Sequence, residues 1–194
     1  MTAIALSRKR VLADVVPGGL VRDTVLVLSG TLLIALSALL SFHVPWTPVP
    51  YTLQTSAVLL VGASLGMVRG GLSSLVYLVV GMAGVPWFSQ HTSGWNFASF
   101  GYLIGFVVAG ALVGWLAERG GDRTVLRTAA TMVVGNIVIY AIGVTYLIQF
   151  LHVDVATGIA LGLTPFLVGD LIKVVVAAGL FPAAWRLVRH VESR

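Results

Sequence analysis

Asp170 and Lys173 lie three residues apart in the apolar run FLVGDLIKVVVAAGLF, residues 166–181. In a helix this spacing puts a carboxylate and an ammonium group on one face, where they can pair. Either charge costs about 2.5–3.5 kcal/mol near the centre of a membrane helix, so neither is buried without a partner. Two readings follow: a satisfied internal ion pair, or a pair that faces a polar cavity and meets a ligand. The second is the default for ionisable groups inside a membrane. Pro165 stands near the helix start and Gly169 beside Asp170, where a missing side chain admits a ligand or another backbone.

Other polar residues fall at a similar depth. Gln54 follows a proline-rich segment, and Asn96, Tyr102, Asn136 and Tyr140 add donors and acceptors in or near later apolar runs. Each alone reads as interhelical glue. Positions 54, 96, 102, 170 and 173 share one outer level, which describes a pocket better than scattered packing contacts. His43, His91 and His152 are widely separated and read as singly solvated or hydrogen-bonded side chains, with no metal set implied. Trp46, Tyr51, Trp87 and Trp95 suit an interfacial aromatic belt. The only two lysines follow Arg8 and Ile172, so the Gly-Lys of a phosphate-binding loop is absent, and no His is followed by Glu as zinc-protease chemistry requires. One charged pair on one helix makes no pore.

The elements that must hold these groups are membrane helices. Of 194 residues, 58% are hydrophobic and 10% charged, and mean hydropathy is +0.99, against about 25% charged residues in soluble domains. The net charge of +5 is distributed between apolar runs, which does not form the basic face of a nucleic-acid binder. There is no cysteine, hence neither disulfide nor thiolate site. The basic cluster Arg8, Lys9, Arg10 is followed by polar and glycine residues before any long apolar run, so no cleavable signal peptide is expected and the first span is retained.

Between Asp23 and Arg69 lie 45 residues without Asp, Glu, Lys or Arg, and between Arg69 and Glu118 lie 48; each run is long enough for two crossings. HVPWTPVP (43–50) breaks the first through its prolines, and GVPWFSQHTSGWNFAS (84–99) breaks the second. The expected spans are about 24–42, 52–68, 70–85, 99–117, 128–150 and 164–187, giving an all-α membrane protein of six helices. With both termini cytoplasmic, eleven of the twelve Lys and Arg fall on the cytoplasmic side, and the twelfth is Lys173. The expected organisation is a cytoplasmic segment 1–23, a membrane domain 24–187 and a cytoplasmic tail 188–194.

The stretches PVPYTLQT (48–55), GMVRGGLSSLVYLVVGMAGVPWF (66–88), GYLIGF (101–106), IYAIGVTYL (139–147) and PFLVGDLIK (165–173) together resemble the BioY family, the biotin-specific substrate-binding components of energy-coupling factor transporters. The resemblance runs in order from about residue 24 to the C-terminus, and its most specific parts are the block ending in Gln54 and the Gly-Asp-x-x-Lys block. It implies a six-helix substrate-binding fold in a prokaryotic cytoplasmic membrane, with biotin held near the outer face. It also implies ligand-holding roles for Asp170 and Lys173, and places Gln54, Tyr102, Trp87 and Phe88 along or over the pocket. Asn96 and Tyr140 are added to that set as nearby donors and acceptors. Where family members commonly show a Pro-Thr-Gly-like run, this chain has Ala98, Ser99 and Phe100.

The implied partners are an integral membrane coupling subunit and two cytoplasmic ATPases, with no cofactor beyond the transported ligand. First-span small residues, Thr31 with Ala35 and Ser37 with Ser41, are the candidates for docking a partner, and small-residue faces also permit a homo-oligomer. Biotin presents two ureido N–H donors, a ureido carbonyl, an apolar bicycle and a carboxylate. Asp170 can accept from the N–H groups, Lys173 can donate to a carbonyl or carboxylate, and Trp87, Phe88 and Tyr102 can exclude water. The alternatives are the same fold serving riboflavin or thiamine, and a membrane-embedded enzyme using Asp170 as acid or base.

Overall fold

The computed structural model describes residues 11–192; Arg8, Lys9, Arg10 and Arg194, which entered the charge count, lie outside the described residues. A short 3-10 turn at Leu12–Val15 leads into α1 (Leu20–Leu39). The proline-rich break between the first two expected spans is an antiparallel hairpin of β1 (Ser41–Val44) and β2 (Thr47–Thr52), with Ser41 opposite Thr52 and Phe42 opposite Tyr51. Its β-branched and aromatic residues suit a pleated surface, and in a two-stranded sheet Pro48 and Pro50 can occupy positions where no ladder donor is required.

α2 (Gln54–Leu65) and α3 (Met67–Met82) are short apolar helices joined at Gly66, whose φ of +88° favours glycine. Expected spans 52–68 and 70–85 therefore meet in a tight turn. Glu118 secures it by accepting from the backbone N–H of Met67 at 2.8 Å, an anion at a helix N-terminus. α4 (Phe100–Glu118) and α5 (Val125–Leu151) follow the expected positions closely. α4 packs against α2, α3 and α5. Buried glycines at 101, 105, 110 and 114 let neighbouring backbones approach it.

The segment between the expected spans 128–150 and 164–187 contains a further helix, α6 (Val155–Gly162), capped by Asp154, which accepts from Thr157 N at 2.9 Å and Thr157 Oγ1 at 2.8 Å. α7 (Leu167–Glu192) starts later than expected and continues beyond residue 187. Residues 188–192 are thus its last turns, with no separate tail among the described residues.

The first-span docking candidates turn inward. Thr31, Ala35 and Ser37 are buried, and the Thr31 hydroxyl donates to Ser73 O of α3 at 2.9 Å. Ser41 is half-buried at the start of β1. These small residues seat α1 on its own chain, while Leu28, Leu32, Leu33, Leu36 and Leu39 form the exposed face. The physical reason is close packing: small side chains let α1 approach α3, leaving the large apolar ones for lipid.

Candidate functional site

β2 and the first turn of α2 carry Thr52, Gln54 and Thr55 against α7, so that one short stretch of chain supplies three polar groups to Lys173 and its surroundings. Lys173 Nζ donates to Thr52 O at 3.1 Å, to Thr55 Oγ1 at 2.8 Å and to Asp170 Oδ1 at 3.0 Å. An ammonium has three donors, and all three are engaged. Asp170, 5% exposed, accepts Lys173 at one oxygen and the Tyr140 hydroxyl at the other. A carboxylate offers about four acceptor positions, so Asp170 retains capacity for further N–H donors. The two readings of the pair therefore merge: it is satisfied internally and also borders a cavity. The expected donation from Lys173 to a ligand, by contrast, requires exchange of Thr52 O or Thr55 Oγ1.

That cavity has a volume of about 50 Å³ and is lined by Gln54, Thr55, Phe88, Tyr102, Phe106, Tyr140, Phe166, Asp170 and Lys173, among others. A few water molecules would fill it. On the other side of the pair a crevice of about 600 Å³ runs between the end of α1, the hairpin and α7, walled by Phe42, Tyr51 and Phe166. Tyr51 donates to Pro165 O at 3.0 Å and its ring packs on Phe166, while Thr47 donates to Leu161 O at 2.7 Å. The hairpin is thereby tied to the α6–α7 connection.

The aromatic wall is rigidly built. The Tyr102 hydroxyl donates to Gly162 O at 2.8 Å, and its ring meets Tyr140 edge-on with centroids 6.2 Å apart. Gly143 faces that ring, where a Cβ would overlap it. Phe88 is 1% exposed and contacts Tyr77 and Phe97. Gln90 and His43 share a hydrogen bond that links the connection 83–99 to the hairpin.

Of the eight expected ligand-site residues, six converge on the cavity: Asp170, Lys173, Gln54, Tyr102, Phe88 and Tyr140. Two do not line it. Asn96 is exposed in the connection 83–99, because the chain there loops outward before α4. Trp87 stands behind the wall, its ring stacked on Tyr77 at 5.3 Å and its Nε1 donating to Tyr77 O at 3.0 Å. Asn136 does not line this cavity; it borders two adjoining clefts, one among α5, α6 and α7 and one among α2, α5 and α7. Thr52, Thr55 and Tyr77 are polar members that the sequence reading did not single out. Thr52 and Thr55 stand in the same PVPYTLQT block as Gln54, and Tyr77 stands in the block 66–88, signals within reach; that Tyr77 meets Gln54, 23 residues away, is a relation the sequence does not show. Among the described residues no group of three His, Asp or Glu is placed to hold a metal.

The sequence profile of the BioY family matches residues 7–190. A protein named biotin transporter BioY from Thermotoga maritima is 37% identical over 151 residues, which are 76% of this chain and 86% of the relative. Its namesake from Rhizobium etli is 35% identical over 168 residues, 81% of this chain and 89% of the relative. In three dimensions the chain resembles the crystal structure of the S-component for biotin from an ECF-type ABC transporter, with a TM-score of 0.76 at 21% identity, covering 86% of this chain and 92% of that one.

Proposed function

The chain belongs to the BioY family, and from that premise we propose that it binds biotin beside the Asp170–Lys173 pair and serves biotin uptake as the S-component of an energy-coupling factor transporter in a prokaryotic cytoplasmic membrane. It is a substrate-binding membrane protein and not an enzyme. The observation that carries the site is the pair itself: a carboxylate held by Lys173 and Tyr140, with acceptor capacity left over, borders a cavity walled by aromatic rings.

The chemistry follows from what each group has left to offer. Asp170 accepts from a ureido N–H, the kind of charge-assisted bond that is about twice as strong as a neutral one. Lys173 neutralises Asp170 and fixes its rotamer, so the carboxylate is preorganised before ligand arrives. Phe88, Tyr102, Phe106 and Phe166 exclude water from the bicycle. Biotin exceeds a cavity of about 50 Å³, so binding requires the site to open, and parting of the hairpin from the connection 83–99 would break the Gln90–His43 bond. An integral membrane coupling subunit and two ATPases would then drive reorientation of the loaded unit.

Calorimetric titration of the detergent-purified protein tests the ligand. Biotin is expected to bind tightly and to be displaced by neither riboflavin nor thiamine. Folded protein that takes up no biotin overturns the proposal, and displacement by one of the other vitamins reassigns the ligand.

A further inference from the structure

Gln54 is 2% exposed and lines the cavity. Its Nε2 donates to the Tyr77 hydroxyl at 2.8 Å, and that hydroxyl donates to Trp87 O at 3.2 Å. Among the described residues nothing donates to Gln54 Oε1. Tyr77 does not line the cavity; it is buried behind it, stacked on Trp87 and edge-on to Phe88 at 5.2 Å.

The direction of these bonds is fixed by chemistry. A backbone carbonyl only accepts, so the Tyr77–Trp87 contact must take the single hydroxyl proton of Tyr77. The phenol oxygen is then left with lone pairs alone, and only the NH₂ edge of the Gln54 amide satisfies it. Turned the other way, two acceptors would compete for one proton and leave opposed lone pairs in a buried site, which is costly. Trp87 fixes the relay from its far end, because its Nε1 also donates to Tyr77 O.

We propose that Tyr77 is a positioning residue for ligand binding: it forces the Gln54 amide to turn its NH₂ edge out of the cavity and to offer its carbonyl oxygen inward. The cavity then presents two acceptors, Gln54 Oε1 and the Asp170 carboxylate, and selects a ligand bearing N–H donors. The ligand class rests on the biotin reading; the orientation of the amide does not. Trp87, which lies off the cavity, acts on the ligand through the same relay.

Biotin titrations of wild type, Tyr77→Phe, Gln54→Ala and the double variant test the assignment. Phe at 77 keeps the ring contacts and removes only the hydroxyl. Tyr77→Phe is expected to weaken biotin about tenfold, and Gln54→Ala about tenfold to a hundredfold. The double variant should bind as Gln54→Ala does, because Tyr77 acts only through Gln54. Equal weakening by Tyr77→Phe in both backgrounds overturns the proposal in favour of packing. Side-chain amide resonances of Gln54 in the ligand-free protein give a readout that needs no biotin. One Nε2 proton should be shifted by the Tyr77 bond and should move in Tyr77→Phe; an amide pair unaltered by that change overturns the orientation. Absence of biotin binding by folded wild type counts against the biotin reading alone, and the amide spectrum then decides the role of Tyr77.

Discussion

Both ends of the molecule bury ionisable side chains, and the pair at one end borders an aromatic-walled cavity. At the end bearing Arg69, that side chain pairs with Asp14 at 2.7 Å and Asp23 at 3.2 Å and also donates to Leu65 O at 2.8 Å. Nearby, Asp122 is 0% exposed, accepts from Trp185 Nε1 at 2.5 Å and from Arg123 at 3.1 Å, and Arg123 stands 3.3 Å over the Trp185 ring. These contacts join the 3-10 turn, α1 and α3 in one case, and the α4–α5 loop and α7 in the other. At the opposite end, Asp170 and Lys173 are just as well paired, yet the pair borders the cavity and Asp170 keeps acceptor positions free. Burial of charge alone therefore does not mark a binding site. Leftover hydrogen-bonding capacity against an aromatic-walled cavity does.

The sharpest way to break this contrast is to remove one cation from each end. Lys173→Ala leaves the Asp170 carboxylate with Tyr140 alone, and breaking a buried pair costs about 3–5 kcal/mol. Biotin affinity is expected to fall by more than about a hundredfold, read by calorimetry, with the variant still monodisperse. Unchanged affinity would place Lys173 among the structural pairs. Arg69→Ala should do the reverse. Its partners are half-exposed, so the loss is discounted to about 1–3 kcal/mol of stability. It should lower the melting temperature and leave biotin affinity within about twofold; a large loss of affinity instead would join the two ends functionally.

The smallest effect is expected at Asp122. Burial pushes its carboxyl above the usual range, with the bonds from Trp185 and Arg123 opposing the shift. A raised native pKa means that the neutral form favours folding, so its contribution is complete below the ordinary carboxylate range and is lost as pH rises through the elevated value. Asp122→Asn keeps an acceptor for Trp185 and should change stability by about 1 kcal/mol or less at neutral pH. Melting curves across pH should be flatter for the variant than for wild type, and parallel curves would count against the buried-carboxyl account.

The sequence by itself determined the membrane class and the six apolar runs, because span length and charge exclusion are imposed by the bilayer and need no knowledge of packing. It also marked Asp170 and Lys173, since charges in an apolar helix stand out against that background. Gln54 and Tyr102 were legible through motif blocks whose residues are near one another in the chain. What only the tertiary structure decided are relations across elements. The hairpin at 41–52 and helix α6 depend on the packing that shelters them. Thr31, Ala35 and Ser37 have a composition that suits docking of a partner, yet they are buried within the chain, Thr31 on Ser73 of α3. Lys173 reaches Thr52 and Thr55 across more than a hundred residues of chain, and the Gln54–Tyr77–Trp87 relay spans three elements. Periodicity and local composition report which face a residue occupies. The partner it meets there is set by how helices close on one another, and in this protein that closure decides which buried polar groups are left free to receive a ligand.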